Sequence, residues 1–440
     1  MADILIKNGY ILTMDSEKPE IIKNCVISIE NGIINYVGPE NSGPKKSGYV
    51  IDAKGCVVMP GLSNTHTHMG MTLFRGFADD MKLNDWLENK IWPAEACLKE
   101  SDVKAGSDLA CLEMIKSGTT ACCDMYFHMD ETAKSVKESG MRAALSYGMI
   151  NFNDEEKGKR ELDISKKFVR NWNGKENGKI TAMYGPHSPV TCSIELLEKV
   201  KEQAQKDNVK IHIHVLETEN ELNTMKENHG MCSVHYLDKI DFWGPDILAA
   251  HCIWMSDRDI ELFGKKQVNV SHVPLSNMKL ASGIAEIGKM MKANVPVSIG
   301  TDGCASNNNL NLFEEIKISS LIQKIHLNDP TALPAYDSIA MATRNGGKVI
   351  DEKTGIIKPG FKADIILLDL KKPHMTPNKT EYNNVVSHIA YSVSGTDVKT
   401  VIIDGKIVME DRIVKTLDEQ KVLENAENAA YELFERKNEK

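Results

Sequence analysis

Apolar residues along the 440-residue chain fall into short runs of β type, separated by longer stretches where they recur at helical spacing. Eight runs stand out. They are "CVVMPGLSNTH" (Cys56–His66), "TTACCDMY" (Thr119–Tyr126), "RAALSYGMI" (Arg142–Ile150) and "KITAMYGPHS" (Lys179–Ser188). Further on come "VKIHIHVLET" (Val209–Thr218), "DILAAHCIWM" (Asp246–Met255), "QVNVSHVPLS" (Gln267–Ser276) and "VPVSIGTDG" (Val295–Gly303). Between them lie amphipathic segments such as "IELLEKVKEQAQK" (Ile194–Lys206). Strands alternating with helices in this number predict an α/β protein built on a parallel (β/α)8 TIM-type barrel.

The two ends follow another pattern. "ILIKNGYILTMD" and "CVISIENGIINYVG" near the start, and "ADIILLDL" and "VKTVIIDGKIVMEDR" far downstream, read as strands punctuated by Asn-Gly and Asp-Gly. Those dipeptides favour hairpin turns. The expected organisation is a small β-sandwich domain made from residues 1–57 and 359–440, interrupted by a barrel over 58–358. A last helix is predicted over Asp418–Lys437.

Composition narrows the function. A net charge of -9, with no run of lysines and arginines, argues against a nucleic-acid footprint. The N-terminus "MADILIKNGYILTMDSEKPE" is broken by charges and does not read as a signal peptide. No apolar stretch approaches the ~18 residues that span a bilayer. Ten cysteines occur without C-x-x-C pairing, which predicts reduced, mostly buried thiols and a cytoplasmic location.

The chemistry sits at the predicted strand ends. His66 and His68 are two apart, so a strand points both rings to one side. Barrel active sites form at the C-terminal ends of strands, where this pair lies. His214 ends the fifth run with Glu217 just beyond, His251 ends the sixth, and Asp302 ends the eighth beside a glycine. Imidazoles and one carboxylate at a shared rim suit a divalent catalytic metal with a position open to water. Such donors do not choose among zinc, iron and manganese. His212 shares the face of His214 but lies deeper, and is read as barrel packing. His128, His229, His235, His272, His326, His374 and His388 default to loop, surface or supporting roles.

The stretches "PGLSNTHTH", "GPHSPVTCS", "HIHVLETENE", "HVPLSNMKLASG" and "GTDGCASNNNLNLFEE" resemble the amidohydrolase superfamily. Within it they look most like the 5-methylthioadenosine/S-adenosylhomocysteine deaminases, including the 5′-deoxyadenosine deaminases. The likeness runs nearly end to end, through "TGIIKPGFKADIILLD". The resemblance implies hydrolysis of the C–N bond of a cyclic amidine, with an adenosine derivative and water giving the inosine analogue and ammonia. It makes His66, His68, His214 and Asp302 ligands of one metal, usually zinc. Glu217 becomes the proton shuttle and His251 the neighbour of the attacking water, with Asp302 also taking that water's proton.

The resemblance also places Glu95 on the ribose hydroxyls and His187 on the purine. Trp86 would wall the nucleoside or serve the core, with Asn277 and Ser306 as weaker candidates. Many relatives carry an arginine where "RAALSYG" has Tyr147, and tyrosine offers no guanidinium fork to a carboxylate. Small apolar 5′ groups are therefore expected to be preferred over the amino-acid tail of S-adenosylhomocysteine, unless Lys157, Lys159 or Arg160 compensates. The expected partner is a small nucleoside, with neither nucleic acid nor membrane; a homo-oligomer is compatible with the resemblance. Two rival readings are a guanine, pterin or triazine hydrolase using the same rim, and a metal-free scaffold that has lost activity.

Overall fold

The computed structural model describes residues 2–378 and 385–439. Eight parallel strands form one sheet in sequence order: β1 (Leu62–Thr67), β2 (Thr119–Tyr126), β3 (Arg142–Met149), β4 (Ile180–Pro186), β5 (Ile211–Val215), β6 (Ile247–His251), β7 (Asn269–His272) and β8 (Val297–Ile299). Every residue of β1, β2, β5 and β6 is buried, as expected for a parallel sheet covered by helices. Side chains close the ring where β8 returns to β1. The Thr65 hydroxyl lies 2.7 Å from that of Ser271 and 2.9 Å from that of Ser298. Beyond β8, the Thr301 and Asp302 N–H groups donate to the His66 carbonyl at 3.1 and 2.9 Å. Gly300 permits this approach, because a Cβ there would stand 2.7 Å from the His66 backbone nitrogen.

Both termini build a second unit of two sheets. One has four strands in the order 33–39, 25–30, 2–7 and 47–52. The other has seven, in which Cys56–Pro60 lies between Ile365–Asp369, antiparallel to it, and Tyr10–Leu12, parallel to it. Ile4, Ile27, Ile29, Val58, Ile365 and Ile402 belong to its buried apolar core. The predicted run Cys56–His66 is therefore two strands in two sheets. The division falls at Gly61, where a Cβ would meet the Thr120 side chain at 2.2 Å. The preceding Pro60 has no N–H for a ladder.

Two features tie the units together. Arg142, buried at the start of β3, donates through Nε to Asp364 at 2.8 Å and also pairs with Asp404 at 3.3 Å. The last helix, Glu419–Asn438, leaves the small domain and lies on the barrel helix Glu100–Lys116. Lys116 pairs with Glu419 at 2.6 Å, Arg436 pairs with Asp102, and Phe434 stacks on Phe77 at 4.5 Å. Asp418 caps this helix by accepting from the Lys421 N–H. Among the described residues, no helix is long and apolar enough to cross a membrane, and all ten cysteines are buried and unpaired.

Candidate active site

The C-terminal ends of β1, β5, β6 and β8 bring His66, His68, His214, His251 and Asp302 together. The Asp302 Oδ1 lies 3.1 Å from His68 Nε2 and 3.5 Å from His66 Nε2, and His214 Nε2 lies 3.4 Å from His68 Nε2. Tetrahedral donors around one zinc at about 2.0–2.1 Å stand about 3.3 Å apart. These spacings are those of donors that could share one ion. The buried His66 Nε2 also has no hydrogen-bond partner. A neutral ring with an idle, buried lone pair is what a cation would satisfy, so the donor set fits a divalent metal.

The electrostatics keep His66 and His214 ready, while the Asp302 carboxylate, against the cost of burial, raises the His68 ring to about 9. Burial pushes the His66 ring down to about 3 and holds His214 well below the usual imidazole range, so both stay neutral. Burial opposes the charge on Asp302, but the adjoining His66 and His68 rings outweigh it and hold this carboxyl well below the usual range. Ser276 and Ser306 donate hydroxyls to its Oδ2 at 2.6 and 2.9 Å. The backbone is bent to make the rim: His251 and Asp302 sit at φ of 68° and 65°. Left-handed conformations of this kind cost energy outside glycine and cluster at functional sites.

His251 Nδ1 lies 2.9 Å from Asn277 Oδ1, an acceptor, so this nitrogen carries the proton and Nε2 is left as an acceptor. That Nε2 stands 3.8 Å from Glu217 Oε2. Burial raises the Glu217 carboxyl against the opposing pull of His251. Glu217 is fixed from behind, because Glu221 accepts from the Leu216 and Glu217 N–H groups at 2.9 and 3.1 Å.

A cavity opens in front of this cluster. His68, His214, Glu217, His251 and Asp302 line one part of it, and Glu95, Trp86, His187 and Ser306 line others. Glu95 Oε1 accepts from the Tyr126 hydroxyl at 2.8 Å, and its other oxygen has no protein partner among the described residues. Burial pushes this carboxyl up to about 7. Trp86 is a wall whose indole N–H is already taken by the Ala78 carbonyl at 2.9 Å. Leu87, Ile91, Trp92, Phe127, Ile150 and Leu280 make much of the remainder apolar.

Two sequence expectations change here. Tyr147 does not line this cavity. Side chains alternate along a strand, and Gly148 is the residue of β3 that faces in. Tyr147 instead packs beside Phe127, with ring centroids 6.5 Å apart, and bonds Glu161. Lys157, Lys159 and Arg160 do not line the cavity either; Lys159 pairs with Glu156 at 2.8 Å on the helix Glu155–Trp172. No lysine or arginine lines the cavity among the described residues.

Residues 57–408 match the model of the amidohydrolase family. The chain belongs to that family. This amidohydrolase is 58% identical to a 5′-deoxyadenosine deaminase of Methanosarcina acetivorans over 438 residues, covering 100% of both chains. It is 46% identical to a 5-methylthioadenosine/S-adenosylhomocysteine deaminase of Pelotomaculum thermopropionicum, across 99% of this chain and 100% of the relative. In structure it is similar to an adenosine deaminase from Xanthomonas campestris crystallised with bound zinc, with a TM-score of 0.93, 29% identity and 98% of each chain covered.

Several residues of the amidohydrolase site escaped the sequence reading. Glu221 looked like one more acid in "ETENE", and Ser276 carried no signal. Asn277 holds His251 rather than lining the cavity. His212, read as packing, places Nε2 2.8 Å from His66 Nδ1.

Proposed function

We propose that this amidohydrolase is a metal-dependent aminohydrolase that converts an adenosine with a small apolar 5′ group, such as 5′-deoxyadenosine, to the inosine analogue and ammonia. One observation carries the reading. A single cavity joins the donor cluster and Glu217 to a half-buried, half-partnered Glu95, and its described lining offers no cation to a distal carboxylate. The names of the full-length relatives support the same substrate class.

In this reading His66, His68, His214 and Asp302 hold the metal, with zinc the favoured ion. When bound, it supplies a lowered water pKa, towards about 7. The remaining work belongs to the chain. The raised Glu217 carboxyl delivers its proton to N1 of the purine, takes one back from the hydroxyl formed at C6 and passes it to the departing amine; the proton that Asp302 takes from water then recharges Glu217. Asp302, held as a carboxylate, takes the proton of the attacking water. His251 Nε2 accepts a hydrogen bond from that water and aims it at C6. His187 meets the purine, Trp86 walls it, and Glu95 accepts from the ribose hydroxyls. Water adds one oxygen at C6, and the amino group leaves as ammonia.

Ammonia release across a panel of nucleosides and heterocycles tests this. The zinc-loaded protein should turn over 5′-deoxyadenosine and 5′-methylthioadenosine with higher kcat/KM than S-adenosylhomocysteine. Activity confined to guanine, pterins or triazines would refute the substrate class, and a preference for S-adenosylhomocysteine would refute the 5′ assignment.

A further inference from the structure

We propose that His212 sets the tautomer of His66 and thereby governs how tightly the rim holds its metal. This rests on the reading of His66 as a ligand. A histidine that ligates through one nitrogen hands the N–H of the other to a fixed acceptor, which orients the ring and raises its basicity. For two of the three ligand rings that acceptor is backbone. His68 Nδ1 lies 2.5 Å from the Met125 carbonyl, and His214 Nδ1 lies 2.7 Å from the His187 carbonyl. His66 differs: its Nδ1 faces the Nε2 of His212, at 2.8 Å.

The proton positions along this line follow from what each atom can do. His66 Nε2 is the partnerless atom and, as the ligating one, must be bare, so the ring's proton is on Nδ1 and points at His212. His212 Nε2 must then accept, which leaves its own proton on Nδ1, 3.5 Å from the Ser146 hydroxyl oxygen. Ser146 turns its hydroxyl hydrogen to the Asp124 carbonyl at 2.8 Å and so presents a lone pair to His212. A one-way chain of donors thus runs from His66 inwards and ends on backbone. His212 is fully buried, so no solvent substitutes for it as the acceptor. It is a positioning residue, distant in role from a packing histidine that any apolar ring could replace.

Zn2+ affinity, measured by competition with a chromophoric chelator on the full-length protein, reads this directly. His212→Phe keeps a flat ring but no acceptor, and should weaken Zn2+ binding about 10- to 100-fold. His212→Gln, whose side-chain oxygen reaches the place of Nε2, should recover most of that loss. In the zinc-loaded wild type, nitrogen NMR of labelled histidines should find His212 protonated at Nδ1 and bare at Nε2. That signature decides the matter even if His212→Phe does not fold. The inference is overturned if a folded His212→Phe holds Zn2+ as tightly as wild type. Equal impairment of the two variants, or a protonated His212 Nε2, would overturn it too. Failure of the metal reading looks different, because wild type itself would then take up no Zn2+.

Discussion

Glu95 offers the sharpest quantitative test of how the nucleoside is held. One of its oxygens is committed to the Tyr126 hydroxyl at 2.8 Å, and the other is left for a ligand in the cavity. Hydrogen bonds to a charged acceptor contribute about 1.5–3 kcal/mol each. Glu95→Gln keeps the shape and removes the charge. At about 1.4 kcal/mol per tenfold, it should lower kcat/KM for 5′-deoxyadenosine by about 10- to 150-fold, chiefly through KM. The assay is steady-state deamination in a cycle with 2′,3′,5′-trideoxyadenosine, which lacks the hydroxyls. Wild type should already be impaired on that substrate, and Glu95→Gln should add little further loss. Burial pushes Glu95 up to about 7, against the downward pull of the Tyr126 hydrogen bond. Its accepting, deprotonated form is lost as the pH falls through that value. For 5′-deoxyadenosine, kcat/KM should therefore rise with pH through about 7 more steeply than it does for the trideoxy substrate, whose rise reflects the metal-bound water alone. An equal loss on both substrates would refute the assignment of Glu95 to the ribose.

Glu217→Gln should lower kcat by about a hundred- to ten-thousandfold while Zn2+ content, read by atomic absorption, stays at the wild-type level. Dialysis against a strong chelator should abolish ammonia release, and Zn2+ should restore it; unchanged activity in a protein verified as metal-free would exclude the metal reading. Asp364→Ala leaves the buried Arg142 guanidinium without its 2.8 Å partner, and denaturant unfolding should show a loss of about 3–5 kcal/mol. Adding Arg142→Met to that variant should recover part of the loss, since a buried charge left with only the longer Asp404 and Asp351 contacts goes with it.

The barrel was legible because parallel strands buried on both faces leave near-continuous apolar runs, such as "ILAAH" in β6. His66 and His68 were legible through their two-residue spacing at the end of such a run. Spacing alone says nothing of which way a lone pair points. His212 and His214 share one face of β5, and only the approach of β1 makes His212 the partner of His66. Glu221 and Ser276 stand in the helices Glu219–His229 and Pro274–Lys279 but act on loop residues beyond β5 and β8, a contact that no periodicity marks. Tyr147 was assigned by likeness to an arginine position. Strand parity gives that place in the cavity to its neighbour Gly148. The run 56–66 looked continuous because residues buried in either sheet are equally apolar, and only Gly61 marks the change of sheet.

The sandwiching of Cys56–Pro60 between Tyr10–Leu12 and Ile365–Asp369 has a consequence for synthesis. At about 5–20 residues per second, a ribosome needs on the order of 15–60 s to make the chain between those two neighbours. Throughout that interval one edge of Cys56–Pro60 stays open, with unpaired N–H and C=O groups available to any passing strand. The eight barrel strands all emerge before the missing neighbour does, so the larger unit can assemble while the smaller one waits for its last pieces. Slowing translation within the barrel-coding region lengthens the hazard, and nascent-chain aggregation should rise with the pause.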